Sequence, residues 1–276
     1  LPSSLSRCLF SLKMIRQLFS NIYMFVFDRV ICYYLLKLCS SQLNIRFMNL
    51  GYVNENDTVV NEAIKKNEVS ESEQAHVALY EKTLSLHPRY PTLNGCQLLE
   101  VGCGQGGGID YIQRSHPEIT SVTGMDRVPI RESIISGDAH DLPFKSSSFD
   151  VVINIESSHL YHEPQQFFKE CARVLTIGGH LCWTDLRFDR EEKEVLEQAK
   201  RVGLELLHIE EITDSVVKGM VKVAARYDNM MLTAPWYIKF FGNSFRETYC
   251  APGTKAHERY VKREKRYWTA CWVKQG

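Results

Sequence analysis

The sequence predicts an α/β fold, an open and mostly parallel sheet wound on both faces by helices, and two observations carry that expectation. First, a short run, Gln97-Leu98-Leu99-Glu100-Val101, gives way to Gly102-Cys103-Gly104-Gln105-Gly106-Gly107-Gly108 and then to a helix-compatible segment. Glycines directly after a strand let the backbone turn and approach a ligand closely, and the N–H groups of the following helix face back at the loop, which makes a nucleotide-type site. Second, strand-like apolar runs alternate with segments of helical period as far as the C-terminus, the pattern of strands joined by helical crossovers. The 276 residues, 44% hydrophobic and 24% charged, suffice for one large domain plus an extension.

In chain order, residues 1–47 are expected to form an apolar, helical N-terminal extension to a domain over 48–276. Within it residues 8–38 are apolar and aromatic but interrupted by Lys13, Arg16, Asp28, Arg29 and Lys37, and the longest uncharged stretch is 11 residues. A bilayer span needs about 20, so packing on the domain or peripheral membrane contact is expected instead. A cleaved leader is the other reading, since basic but no acidic side chains occur in the first 27 residues. Residues 48–69 are polar and read as a loop, and 71–86 as a helix with Ala75, Ala78 and Leu79 on its apolar stripe. Strand one is 97–101, followed by a helix over 107–114, strand two at 121–126, strand three at 133–136 and strand four at 151–154. A helix over 165–175, a Gly178-Gly179 turn and strand five at 180–185 come next. Helix 191–202, strand six at 204–210, helix 215–231, an aromatic stretch at 235–245 and a last strand at 266–273 complete the chain.

The dinucleotide spacing of Gly102, Gly104 and Gly107 is a weak signal on its own. Glu100, just before the glycines, would repel a pyrophosphate yet could receive a cationic ligand. Farther on, Gly137-Asp138-Ala139-His140-Asp141-Leu142-Pro143-Phe144 leads into Phe149-Asp150-Val151-Val152-Ile153-Asn154. Together these stretches resemble the class I S-adenosylmethionine-dependent methyltransferases. Met48-Asn49-Leu50-Gly51-Tyr52, Gln74-Ala75-His76 and Tyr80 resemble a narrower group, the phthiotriolone-type lipid methyltransferases related to those of sterols (the methyltransferase type 11 domain). The resemblance implies a Rossmann-like, doubly wound, seven-stranded sheet with its last strand antiparallel, and a helical cap inserted at about 212–262. It implies S-adenosyl-L-methionine held by Glu100, Gly102, Gly104, Gly106, Asp126, Asp138, Ala139 and Asn154. Asp126 ends strand two, where an acid can accept both ribose hydroxyls, and Asp138 with the Ala139 N–H would meet the adenine.

One departure stands out. Only 11 residues separate Asp126 from Asp138, too few for the helical crossover that parallel neighbours usually need. The helix between strands two and three is therefore expected to be missing, with the sheet bare beside Asp126.

Methyl transfer from a sulfonium is a displacement on an already activated carbon, so the protein supplies orientation and, for a hydroxyl, a base. The loop Glu156-Ser157-Ser158-His159 resembles the Glu-Ala-Ser-His segment of lipid and sterol methyltransferases. It offers His159 as general base and Glu156 to orient His159 or the substrate, with packing against the backbone as the alternative for His159. No metal is required. A formal net charge of zero argues against nucleic acid, and nine cysteines without a C-x-x-C pair read as a reduced, cytoplasmic chain, membrane-associated if residues 8–38 touch lipid. The expected activity is methylation of a hydroxyl, less readily a carbon, of a hydrophobic small molecule or lipid. The alternative is a methyltransferase-fold interaction protein with weak or no catalysis.

Overall fold

The structure, a computed structural model, describes Tyr23 and residues 45–276. The expectations for residues 1–44, the membrane-contact stretch 8–38 included, fall outside the described residues except at Tyr23, whose hydroxyl lies 2.9 Å from Ser244 Oγ.

Two helices, α1 (Thr58–Lys66) and α2 (Glu71–Leu84), precede β1 (Gln97–Val101). Next come α3 (Gly107–Ser115), β2 (Ser121–Asp126), β3 (Ile134–Ser136) and β4 (Phe149–Ile155). They are followed by α4 (Pro164–Val174), β5 (Leu175–Phe188), α5 (Glu192–Arg201) and β6 (Leu204–Glu211). Four helices, α6 (Thr213–Thr233), α7 (Trp236–Phe240), α8 (Gly242–Thr248) and α9 (Lys255–Val261), then lead to β7 (Lys265–Lys274). The sheet runs β3-β2-β1-β4-β5-β7-β6, with β7 antiparallel to both neighbours and the remaining pairs parallel. This is the doubly wound seven-stranded architecture expected from the sequence.

Side-chain alternation along the strands builds two cores. Leu98, Val151, Ile153, Cys182 and Cys271 face α2, α3 and α6, whereas Leu99, Val152, Leu181, Trp183 and Trp272 face α4 and α5. Phe167 and Phe168 of α4 are fully buried on the second face, each contributing about 3 kcal/mol. Phe168→Ala would leave a cavity there. Among the described residues no helix is long and apolar enough to cross a membrane.

Three elements differ from the sequence expectation. Helix α1 occupies part of the stretch read as a loop; Asp57 caps it by accepting from the Val60 N–H, and Val60 is its only buried residue. Both β4 and β5 are longer than expected. The Gly178-Gly179 pair does not end a helix–strand turn but sits inside β5, at a shift of register against β4. Between β2 and β3 there is no helix, as expected, yet the sheet is not bare there. Ile134 is buried against Cys103 and Ile109, and Arg131 donates to both carboxylate oxygens of Asp110 and to the Gly106 carbonyl. Cys103 and Ile109 do the covering, and the Arg131 fork ties the connection to the glycine loop and α3.

Candidate active site

The candidate residues gather at the carboxyl ends of β1, β2, β4 and β5, where open α/β sheets bind ligands. The loop after β1 folds back onto β2, with the Gly102 and Cys103 N–H groups both donating to the Met125 carbonyl. Gly102 has a φ of 77°, and a Cβ there would lie 2.4 Å from Ser157 Oγ, so both conformation and space require glycine. At Gly104 a Cβ would meet nothing closer than Met48 Sδ at 3.6 Å. That is the open side of the loop.

Two acids flank it. The Asp126 carboxylate accepts from the Gly104 N–H at 2.8 Å and the Val128 N–H at 2.9 Å, which fixes its plane and leaves lone pairs for hydroxyl donors. Glu100 is buried and accepts from the Tyr80 hydroxyl at 2.8 Å through one oxygen, while Oε2 is buried without a donor. Burial pushes its carboxyl up to about 7, against the Tyr80 hydrogen bond and with the help of the Asp126 charge. An orphaned buried acceptor of this kind fits an ammonium group, so the residues present suit the amino-acid part of S-adenosylmethionine.

Asn154, on the opposite face of the sheet edge, is tied by its amide to the Val101 carbonyl and Ser157 Oγ, and its Oδ1 is likewise buried without a donor. Asp138 and Ala139 follow β3, whose end is held by the Gly137 N–H on the Asp126 carbonyl. Asp138 is exposed and bonded to His140 through backbone and ring, which hold its carboxyl below the usual range.

A strap over residues 46–52 crosses the loop. It is tied by the Leu50 N–H to Glu156, the Tyr52 N–H to the Ala75 carbonyl and the Phe47 carbonyl to the Tyr227 hydroxyl. His76 belongs to this packing rather than to the ligand. It is stacked on Phe47 and bonded to Asn49, and burial pushes it down to about 3.

His159 sits on a short 3-10 turn, Ser158–Leu160, after β4. Its Nδ1 lies 2.7 Å from Asp185 Oδ1, and its backbone N–H donates to Oδ2 of the same carboxylate. Asp185 is fully buried at the carboxyl end of the sheet, and Ser158, the Leu186 N–H and Arg187 also bond or pair with it. Burial opposes ionisation there, but the His159 and Arg187 charges and the hydrogen bonds hold Asp185 well below the usual carboxylate range. An ionised Asp185 makes Nδ1 the protonated nitrogen, so Nε2 carries the lone pair. Glu156 is not the residue that orients His159: its side chain turns to Leu50, burial raises its carboxyl to about 8, and its backbone has a φ of 49°. Sequence reasoning missed Asp185, Ser158 and Arg187. The one signal available was an acid closing the apolar run of β5.

Beside His159 opens a cavity of about 280 Å³ between β5 and α5, with Tyr161, Leu186, Phe188 and Val195 among its walls. No residue of the glycine loop lines it.

The methyltransferase domain family matches residues 99–183, the span from β1 through the middle of β5. A phthiotriol/phenolphthiotriol dimycocerosates methyltransferase of Mycobacterium leprae is 34% identical over 215 residues, 73% of this chain and 76% of that one. The chain belongs to the S-adenosylmethionine-dependent methyltransferases. A fatty-acid O-methyltransferase of Mycolicibacterium smegmatis is 31% identical to this methyltransferase over 244 residues, 84% of each chain. Among solved structures, the cyclase SpnF superposes with a TM-score of 0.64 at 18% identity, covering 88% of this chain and 94% of its own. A geranyl diphosphate methyltransferase in complex with S-adenosylmethionine gives 0.54 at 14%, covering 83% and 99%. These two likenesses speak to fold alone, and the cyclase among them illustrates that this fold hosts more than one chemistry.

Proposed function

We propose that this methyltransferase methylates a hydroxyl group of a hydrophobic small molecule or lipid, with His159 as the general base. The observation that carries the reading is the His159–Asp185 pair at 2.7 Å, opening on a mixed cavity in which Leu186, Phe188 and Val195 stand among polar and charged side chains such as Glu194 and Lys265. Bound S-adenosylmethionine supplies the activated methyl group. Glu100, Asn154, the glycine loop and Asp126 hold the cofactor in this reading, with Asp138 and Ala139 at its adenine end. Asp185 keeps the imidazole in the tautomer whose Nε2 takes the acceptor's proton, and stabilises the imidazolium that results. Leu186, Phe188 and Val195 exclude water from the acceptor's apolar part. Helices α6–α9, between β6 and β7, form the helical insertion but pack on the face of α2 and α3, where α6 carries the strap over the cofactor loop through Tyr227. The mycobacterial relatives, a phthiotriol/phenolphthiotriol dimycocerosates methyltransferase and a fatty-acid O-methyltransferase, agree with an apolar acceptor.

The test is turnover of long-chain alcohols and hydroxylated lipids, read by mass spectrometry of the methylated product. His159→Ala should lower turnover about 10²-fold with cofactor affinity unchanged by calorimetry. Asp185→Asn should lower it comparably and displace the pH profile. Turnover equal to the parent in both variants would leave His159 a packing residue.

A further inference from the structure

We propose that the outer corner made by the end of α6 and by α7 docks on an anionic lipid bilayer. Leu232, Trp236 and Phe240 are 74%, 80% and 79% exposed, whereas Ala234 and Ile238 between them are 4% and 0% exposed. Within α7 the four-residue spacing turns Trp236 and Phe240 outward together while Ile238 anchors the helix in the core, and Leu232, at the end of α6, is tied to α7 by the Lys239 ammonium donating to its carbonyl at 2.8 Å. Scattered exposed apolar residues are ordinary, but three adjoining ones this exposed form a patch.

The charges around the patch select its occupant. From Asn229 to Phe245 the only formally charged side chain is Lys239. The two charges that bound this stretch, Asp228 and Arg246, pair with each other. Within the described stretch 229–245 the corner therefore carries one positive charge, on Lys239, and no acid, amid tryptophan, tyrosine and phenylalanine. That composition belongs to a membrane–water interface, where aromatic rings sit at headgroup depth and a lysine meets anionic lipid. Tyr227, which holds the strap through the Phe47 carbonyl, is five residues before Leu232, about 7.5 Å along the helix. A bilayer at this corner lies next to the strap rather than on a remote face. The inference rests on exposure and charge and stands apart from the choice of acceptor.

The four tryptophans include a built-in reporter. Trp183 and Trp272 are 1% exposed, Trp268 is half-buried, and Trp236 alone is open to solvent. The full chain would be floated with vesicles of phosphatidylcholine containing about one fifth phosphatidylserine, and its fluorescence quenched by brominated acyl chains. Flotation and quenching are expected in the parent. In Trp236→Ser/Phe240→Ser both should fall, flotation by about tenfold, with S-adenosylhomocysteine affinity preserved as the sign of an intact fold. Leu232→Ser alone should give an intermediate loss. Absence of parental flotation overturns the proposal. So does equal flotation of the double variant, which would assign lipid contact to another segment such as residues 8–38. A parental dimer that the double variant dissolves also overturns it, since a second copy would then own the patch.

Discussion

A carboxyl that titrates near neutrality is a handle on the ligand it is built to meet. Burial holds Glu100 up at about 7, so below that pH the free protein carries it protonated, and a cationic ligand must displace the proton to bind. Cofactor affinity should therefore fall as pH drops below 7, by up to about tenfold per unit. Proton release should be visible as a dependence of calorimetric enthalpy on the buffer. Glu100→Gln should flatten both. Glu100 and Asp126 were legible in the sequence, the first as an acid just before the glycines and the second as the acid ending strand two 20 residues after Gly106, both patterns of short range. Asp185 was not, because its meaning lies in His159, 26 residues earlier, and only the parallel pairing of β4 with β5 joins them. An acid at the end of an apolar strand reads as a terminator until its partner is in view.

Helix α2 shows the same gap between local pattern and tertiary setting. Its stripe of Ala75, Ala78 and Leu79 was readable, but every residue from Ala75 to Leu84 is buried, because α1, α3, α6 and the sheet surround it. Helix α1 escaped notice for the opposite reason, having one buried side chain and a solvated remainder. The polar residues of α2 consequently find partners inside. Glu81 accepts from Tyr90 at 2.6 Å and Tyr111 at 2.5 Å and pairs with His116 at 2.9 Å. Burial pushes the Glu81 carboxyl up, but His116 and the two phenols hold it below its ordinary value. Burial likewise pushes His116 down, but Glu81 and Glu118 hold it above. The Glu81 contribution is present above the ordinary carboxylate range and is lost as pH falls through the depressed value. The His116 contribution is full below about 6.5 and is lost as pH rises through the raised value. Near pH 6 both are intact. Glu81→Gln should cost about 3 kcal/mol there, measured by urea unfolding, and the deficit should shrink toward either end of the window.

Across the whole molecule, the two faces of the sheet divide the labour at one edge. Glu100 and Asp126 lie on the face of α2 and α3, and His159 and Asp185 on the face of α4 and α5, so a ligand joining them must lie over the strand ends. The sequence conveyed this frame well, down to the short crossover after β2, but could not say what replaces the missing helix. Cys103 and Ile109 cover Ile134 there, while half-exposed Arg131 ties the connection to α3, and Arg131→Ala should lower stability by only about 1 kcal/mol. It should weaken cofactor affinity more noticeably, since Gly106 loses the guanidinium on its carbonyl; melting and titration together separate the effects. The strap over residues 46–52 carries a kinetic consequence. Because it is stitched to α2, to α6 and to Glu156 at once, it should open as a unit, and in the proposed reading, with cofactor bound beneath it, exchange should be no faster than that opening. The spent, demethylated cofactor is subject to the same gate as the fresh one. Turnover would then be paced by departure rather than by chemistry, and accumulating product would act as a brake fitted at the chain's own N-terminal side.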